Sequence, residues 1–246
     1  MTAPPDVPTG DTLVFLYDVD NTLLDNDRLK SELDARLDRV LGVEASDLFW
    51  RIYEEVREEK DVVDIPETVI RFEGECTNPT ICSDVRDTIA GVNFRHYLYP
   101  GALDALAHTG RFGTNVVVSD GDAVFQRRKI VESGIAAAAG EHVLIYIHKE
   151  NHVAEIQARF PAGHYLMIDD KPRILKAMPP RFGPRLRTIF ICQGKYAHDA
   201  EERADLRATL TLASIGDLCA VSAEEFRTGH FRRQGECVDA LPDPRD

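Results

Sequence analysis

An α/β fold, with a parallel sheet flanked by helices and a helical subdomain inserted after the first strand, is the architecture this sequence predicts. Three observations carry that expectation. Apolar, β-rich runs recur at LVFLYD (13–18), NVVVSD (115–120), VLIYI (143–147), YLMIDD (165–170) and TIFIC (188–192). They are continuous rather than alternating, as in strands covered on both faces. The segments between the later runs carry helical spacing, as parallel crossovers require. Finally, the interval from Asp25 to about Tyr99 is far longer than one crossover helix needs. Together these describe a Rossmann-like sheet with an insertion.

Taken in chain order, the run at 13–18 is the first strand. Leu29, Leu33, Leu37 and Leu41 then recur every four residues, and Leu48, Ile52 and Val56 do the same within DLFWRIYEEVREEK. That spacing makes at least two amphipathic helices with charged outer faces. Their apolar faces need partners, and the simplest are each other and the segment IPETVIRFEG (65–74). The expected organisation is a core of residues 1–24 and 100–246 with a helical cap at 25–99. GALDALAHTG (101–110) places Leu103, Leu106 and Ala107 at helical spacing before a closing Gly110. DAVFQRRKIVESG (122–134) and NHVAEIQARF (151–160) supply further helices. Both ends, MTAPPDVPTG and GECVDALPDPRD, read as frayed polar tails.

Composition sets broad limits on function. With 246 residues and 43% hydrophobic content the chain can bury a substantial core. No run of about 18 apolar residues occurs, and the N-terminus lacks the basic start and apolar stretch of a secretory signal, so a cytoplasmic location is expected. Cys76, Cys82, Cys192, Cys219 and Cys237 are odd in number and lack close pairs, so reduced thiols are expected. A formal charge of −13 repels polyanions, which argues against nucleic-acid or anionic-membrane partners. A small anionic substrate would need local compensation. Nothing in the chain specifies an oligomeric state.

Ligands of a parallel α/β sheet bind beyond the carboxyl ends of its strands. The residues there are Asp18 with Asp20 just beyond it, Ser119 with Asp120 and Gly121, Lys149 after His148, and Asp169 with Asp170. Asp18 and Asp20 are two apart, so in extended backbone their side chains leave on one side and can address one bound group. Joined by Asp169 and Asp170, they would repel one another unless a divalent cation neutralised them. An all-oxygen donor set of this hardness favours Mg²⁺. Singly, such aspartates are common turn and N-cap residues. The ordered set is what argues for a site. Lys129 is a rival to Lys149 as the site lysine, although it falls in a helix. His148, His152 and Glu155 have the spacing of a zinc site but straddle a strand-to-helix junction.

The segments DVDNT (18–22), VVVSD (116–120), HKE (148–150) and MIDDK (167–171) together resemble the four ordered motifs of the haloacid dehalogenase superfamily. The insertion resembles that superfamily's C1 cap. The resemblance implies a Mg²⁺-dependent phosphatase of a small phosphorylated metabolite. Asp18 is then the nucleophile that forms an aspartyl-phosphate, and Asp20 the general acid and base, its backbone carbonyl also binding the metal. Ser119 and the backbone N–H groups near Asp120 and Gly121 would hold phosphoryl oxygens, and Lys149 would offset charge. Asp169 and Asp170 would complete the metal site, with Asp170 the expected direct ligand. Many members carry a further aspartate where this chain has Ile174.

The same residues suit a phosphomutase. A haloacid dehalogenase and a metabolite-sensing protein without turnover are further alternatives. Members that displace halide typically lack an aspartate two residues after the nucleophile, and this chain has Asp20. Trp50, Tyr53, Phe72 and Phe94 are expected mostly in the cap's own core. Arg51, Arg71 and Arg95 are cap cations that either recognise a second anion or form a solvated face.

Overall fold

In the computed structural model, which describes residues 10–232 together with Gly235 and Cys237, six strands form one sheet. They are β1 (Leu13–Tyr17), β2 (Thr114–Asp120), β3 (Val143–Tyr146), β4 (His164–Asp169), β5 (Leu186–Ile191) and β6 (Leu210–Leu212). Every pairing is parallel, in the order β3-β2-β1-β4-β5-β6. β6 is not among the expected strands. Its three residues, Leu-Thr-Leu, are too short for a periodicity to register.

Side chains of β1 alternate between two apolar layers. Leu13, Phe15 and Tyr17 join one cluster, and Val14 and Leu16 join the other, on the opposite face. Because helices cover both layers, all five residues are buried and the sequence shows an unbroken apolar run. The chain leaves β1 for β2 on one side, while β4 pairs with β1 on the other. This reversal of direction opens a crevice at the carboxyl ends of β1 and β4.

The stretch inserted after β1 holds α1 (Asn26–Leu41), α2 (Val43–Lys60), α3 (Ile65–Glu75) and α4 (Pro79–Ala90). In α1 the Asp25 carboxylate caps the first turn by accepting from the Arg28 N–H, and Leu29, Leu33 and Leu37 are buried. α4 goes beyond the sequence expectation, although its signals are present. Asn78 caps it, Pro79 occupies the first turn, and Cys82, Val85 and Ile89 are buried at helical spacing. The two chain passages joining these helices to the sheet run side by side. Asp25 N–H donates to the Tyr97 carbonyl at 2.7 Å and Tyr99 N–H to the Leu23 carbonyl at 3.0 Å, around an antiparallel bridge between Leu24 and Leu98.

Beyond the insertion, the sheet is flanked by α5 (Ala102–Thr109), α6 (Ala123–Glu132), α7 (Ile135–Ala138), α8 (Val153–Arg159) and α9 (Pro172–Ala177). The buried Tyr17 hydroxyl is satisfied by Thr109 Oγ1 at 2.8 Å, which couples β1 to α5.

The cysteine expectation needs correction. Cys192, just after β5, forms a disulfide with Cys237, while Cys76, Cys82 and Cys219 are free thiols. The partners are 45 residues apart in sequence, so no local spacing could announce them. Among the described residues no helix is long and apolar enough to cross a membrane. The expected frayed tails fall on residues 1–9 and most of 233–246, outside the described residues.

The aromatic expectation for the cap divides in two. Phe72 and Phe94 are fully buried; Tyr53 is also buried in the core, yet it and Trp50 line a cleft. Phe72 meets Phe49 edge-on at 5.9 Å between ring centres. Phe72→Ala is expected to lower the unfolding free energy by about 3–5 kcal/mol. Ile70→Ala, on the same helix but 64% exposed, should leave it nearly unchanged, as urea denaturation would measure.

Candidate active site

The carboxyl ends of β1 and β4 lie side by side because Tyr17 pairs with Ile168. The residues following these strands are therefore forced together. Asp18, Asp169 and Asp170 are all buried, and each offers a carboxylate oxygen within 4.8 Å of the others. Desolvation and mutual repulsion both oppose such a cluster.

Lys149 is the main counterweight. Its fully buried ammonium lies 2.5 Å from Asp18 Oδ1, 2.7 Å from Asp169 Oδ2 and 3.3 Å from the Val118 carbonyl. The chain reaches this position through His148, whose left-handed backbone (φ 59°) turns the chain sharply after β3. The Lys149 N–H is then pinned to Asp120 Oδ1 at 2.7 Å. Burial opposes the charge on Lys149, but Asp169 and Asp18 outweigh it and hold the ammonium above its usual range.

The three carboxyls respond differently. Burial disfavours ionisation of Asp18, yet Lys149 and Lys171 more than offset it and keep Asp18 below the usual carboxylate range. Burial pushes Asp169 up to about 6, with Lys149 opposing and Asp18 reinforcing. Asp170 is raised well above its ordinary value by burial and then by the charges of Asp169 and Asp18. Its Oδ1 accepts from Thr22 Oγ1 at 3.1 Å, and Thr22 Oγ1 accepts from the Asp170 N–H at 3.0 Å.

Asp20 stands apart from this trio. Its carboxylate is held by Lys129, Nζ to Oδ1 at 2.6 Å, with Gln126 Nε2 at 3.4 Å from Oδ2. Asp18 and Asp20 are therefore held by different lysines, and the two candidate lysines occupy separate positions, Lys149 between Asp18 and Asp169 and Lys129 at Asp20. Gln126 and Lys129 are three apart on α6, so both project from one face. Gln126 also donates to Ser119 Oγ at 2.7 Å. The Gly121 N–H donates to the Tyr146 carbonyl at 3.0 Å and is not free for a phosphoryl oxygen in this conformation.

Several contributors had no assigned role in the sequence reading. Thr22 orients Asp170. Asn21, left-handed at φ 64°, accepts from the N–H groups of Asn26 and Asp27 and so ties the loop after β1 to the start of α1. Lys171 is held above its usual range because Asp18, Asp170, Asp169 and Asp20 outweigh its burial. Its signal was its place directly after the paired aspartates. The zinc alternative is not assembled: His148 contacts Asp61 at 2.9 Å, and His152 stacks on Tyr146. Arg51 forms exposed ion pairs with Glu55 and Glu75, Arg71 pairs with Glu59 and Glu67, and neither they nor Arg95 line the cleft. That cleft, about 520 Å³, lies between sheet and insertion, with Asp20, Asp120, Lys129 and Lys171 at one end and Trp50 and Tyr53 on the cap side.

The buried oxygens Asp18 Oδ2 and Asp170 Oδ2 have no hydrogen-bond partner. An all-oxygen cluster with unpartnered acceptors is suited to hold a metal ion.

The fold has known counterparts. A crystal structure of a haloacid dehalogenase-like hydrolase from Burkholderia xenovorans is 42% identical, covering 87% of this chain and 97% of its own, with a TM-score of 0.79. The chain belongs to the haloacid dehalogenase-like hydrolases. More distant likenesses show the fold of these hydrolases alone. One is a Bacillus subtilis HAD-hydrolase bound to magnesium (15% identity, 84% and 96% coverage, TM-score 0.54). Another is the L-2-haloacid dehalogenase of Xanthobacter autotrophicus (13% identity, 84% and 96% coverage, TM-score 0.52). No family model and no curated protein matches the chain.

The charge cluster has a measurable consequence for this HAD-like hydrolase. Asp170 binds its proton more tightly folded than unfolded. Its ionisation therefore penalises the fold, with no penalty below the unfolded value near 3.8 and a growing one as pH rises through the raised folded value. In metal-stripped protein, Asp170→Asn should melt above wild type at about pH 8. That advantage should vanish towards about pH 4, as thermal unfolding in chelator would show.

Proposed function

We propose that this HAD-like hydrolase is a magnesium-dependent phosphatase of small phosphorylated metabolites, with Asp18 as nucleophile and Asp20 as general acid and base. The observation that carries the reading is the buried trio of Asp18, Asp169 and Asp170 with unpartnered oxygens, beside a separately held Asp20. Four carboxyl groups there face the three ammonium groups of Lys129, Lys149 and Lys171, so with all four ionised, as metal ligation requires, a dianionic phosphate would meet net negative charge. Asp18, Asp169, Asp170 and the Asp20 backbone carbonyl would hold Mg²⁺, which when bound neutralises this excess and the charge on the phosphoryl group.

The chain's own residues supply the remaining chemistry. Lys149 keeps Asp18 ionised, as a nucleophile must be. Attack by the Asp18 carboxylate forms a P–O bond while the ester P–O bond breaks, and Asp20 gives its proton to the departing oxygen. Water then attacks the aspartyl-phosphate and Asp20 takes up the proton, which releases phosphate and restores Asp18. Lys129 and Gln126 fix where Asp20 stands. The Ser119 oxygen already accepts from Gln126, so its hydroxyl hydrogen can be directed to a phosphoryl oxygen.

Phosphate release from p-nitrophenyl phosphate and a panel of alkyl phosphates should require Mg²⁺ and stop on chelation. Asp18→Asn should abolish it. Asp20→Asn should lower kcat on alkyl esters by about 100- to 10,000-fold. Metal-independent release of halide from a haloacid, with no phosphate release, would replace this reading with that of a dehalogenase.

A further inference from the structure

The cleft holds more positive charge than the proposed chemistry uses. Lys30, Arg57, Lys129, Lys171, Arg173 and Lys195 all line it. Four of these are committed to carboxylates: Lys30 and Arg57 to Glu54, Lys129 to Asp20, and Arg173 to Glu150. Among the described residues, Lys171 and Lys195 have no side-chain ion pair, and both lie against one aromatic ring. Lys171 Nζ is 6.0 Å and Lys195 Nζ 5.1 Å from the centre of Tyr196, which itself lines the cleft. Lys195 thus presents an exposed ammonium without a side-chain ion pair, while Lys171, balanced by the carboxylates of Asp18, Asp170, Asp169 and Asp20, lies against the same ring.

Their position relative to the nucleophile is fixed. The segment follows β5 and is clamped to the loop after β1. Gln193 Nε2 donates to the Asn21 and Thr22 carbonyls at 3.4 and 3.2 Å, and Lys195 N–H donates to Asp27 Oδ2 at 2.8 Å. Gly194, left-handed at φ 68°, sits so close that a Cβ there would come within 2.4 Å of Asn21 Cβ. The loop bearing Lys195 and Tyr196 therefore keeps a set distance from Asp18, four residues before Thr22. Tyr53 of the cap lines the same cleft.

We propose that Lys171, Lys195 and the Tyr196 ring recognise a second anionic group on the substrate, a carboxylate or a second phosphate, distinct from the phosphoryl group presented to Asp18. The proposal deepens the phosphatase reading and rests on it. It defines the substrate class as phosphate monoesters with an additional anion at a fixed remove. Lys171, nearer the carboxylate trio, faces both groups, whereas Lys195 faces the second alone.

Phosphonates test this without turnover, because their C–P bond is not an ester. Wild type, Lys195→Gln and Lys195→Arg would be titrated calorimetrically, with Mg²⁺ present, against methylphosphonate and against phosphonoacetate, phosphonopropionate, phosphonobutyrate and methylene bisphosphonate. At least one doubly anionic ligand should bind wild type roughly tenfold more tightly than methylphosphonate. Lys195→Gln should erase that advantage and leave methylphosphonate affinity unchanged, while Lys195→Arg should keep most of it. The carboxylate and bisphosphonate arms show which anion is preferred. If no doubly anionic ligand outbinds methylphosphonate, or if Lys195→Gln weakens all ligands equally, the subsite is overturned. The Mg²⁺-dependent release of p-nitrophenol from its phosphate judges the phosphatase reading separately.

Discussion

Everything at this site depends on one buried lysine. Register between β1 and β4 drives three carboxyls into a space closed to water, where each unpaired charge would cost several kcal/mol. The Lys149 ammonium, wedged between Asp18 and Asp169, makes that arrangement tolerable. It does so unevenly. Asp18 remains ionised while Asp169 and Asp170 are pushed towards their protonated forms. The same crowding that threatens the fold thus separates one carboxylate suited to attack from two suited to exchange protons for a cation.

The surroundings of the trio divide the labour further. Asp18 and Asp20 are held by lysines delivered by different elements, Lys149 from the turn after β3, which also holds Asp169, and Lys129 from α6. The helical cap contributes no group to the trio. It lines the cleft with Trp50 and Tyr53. The loop after β5 adds a third contribution through Lys195 and Tyr196, clamped to the same loop that follows the nucleophile.

Much of this was legible because it is written in local pattern. Doubly covered strands appear as unbroken apolar runs, and aspartates stand at their ends because parallel sheets gather functional groups there. Lys149 was legible for the same reason. What escaped depends on contacts distant in sequence. The Lys129 and Asp20 pair joins residues 109 apart, and in sequence Lys129 reads as an ordinary helix cation. Availability of the Gly121 N–H depends on a neighbouring strand's carbonyl, and the Cys192–Cys237 disulfide on two segments that meet only in space. α4 is a different case: its Asn-Pro start and buried triad were readable, but the stretch is short and its cysteine and isoleucines do not stand out among polar residues.

The paired passages between sheet and cap carry a further consequence. An inserted subdomain commonly hangs from two independent tethers, each able to flex alone. Here Leu23–Asp25 and Tyr97–Tyr99 are stitched into a short ribbon, so neither can bend without the other. Any displacement of the cap relative to the sheet would have to bend both passages together.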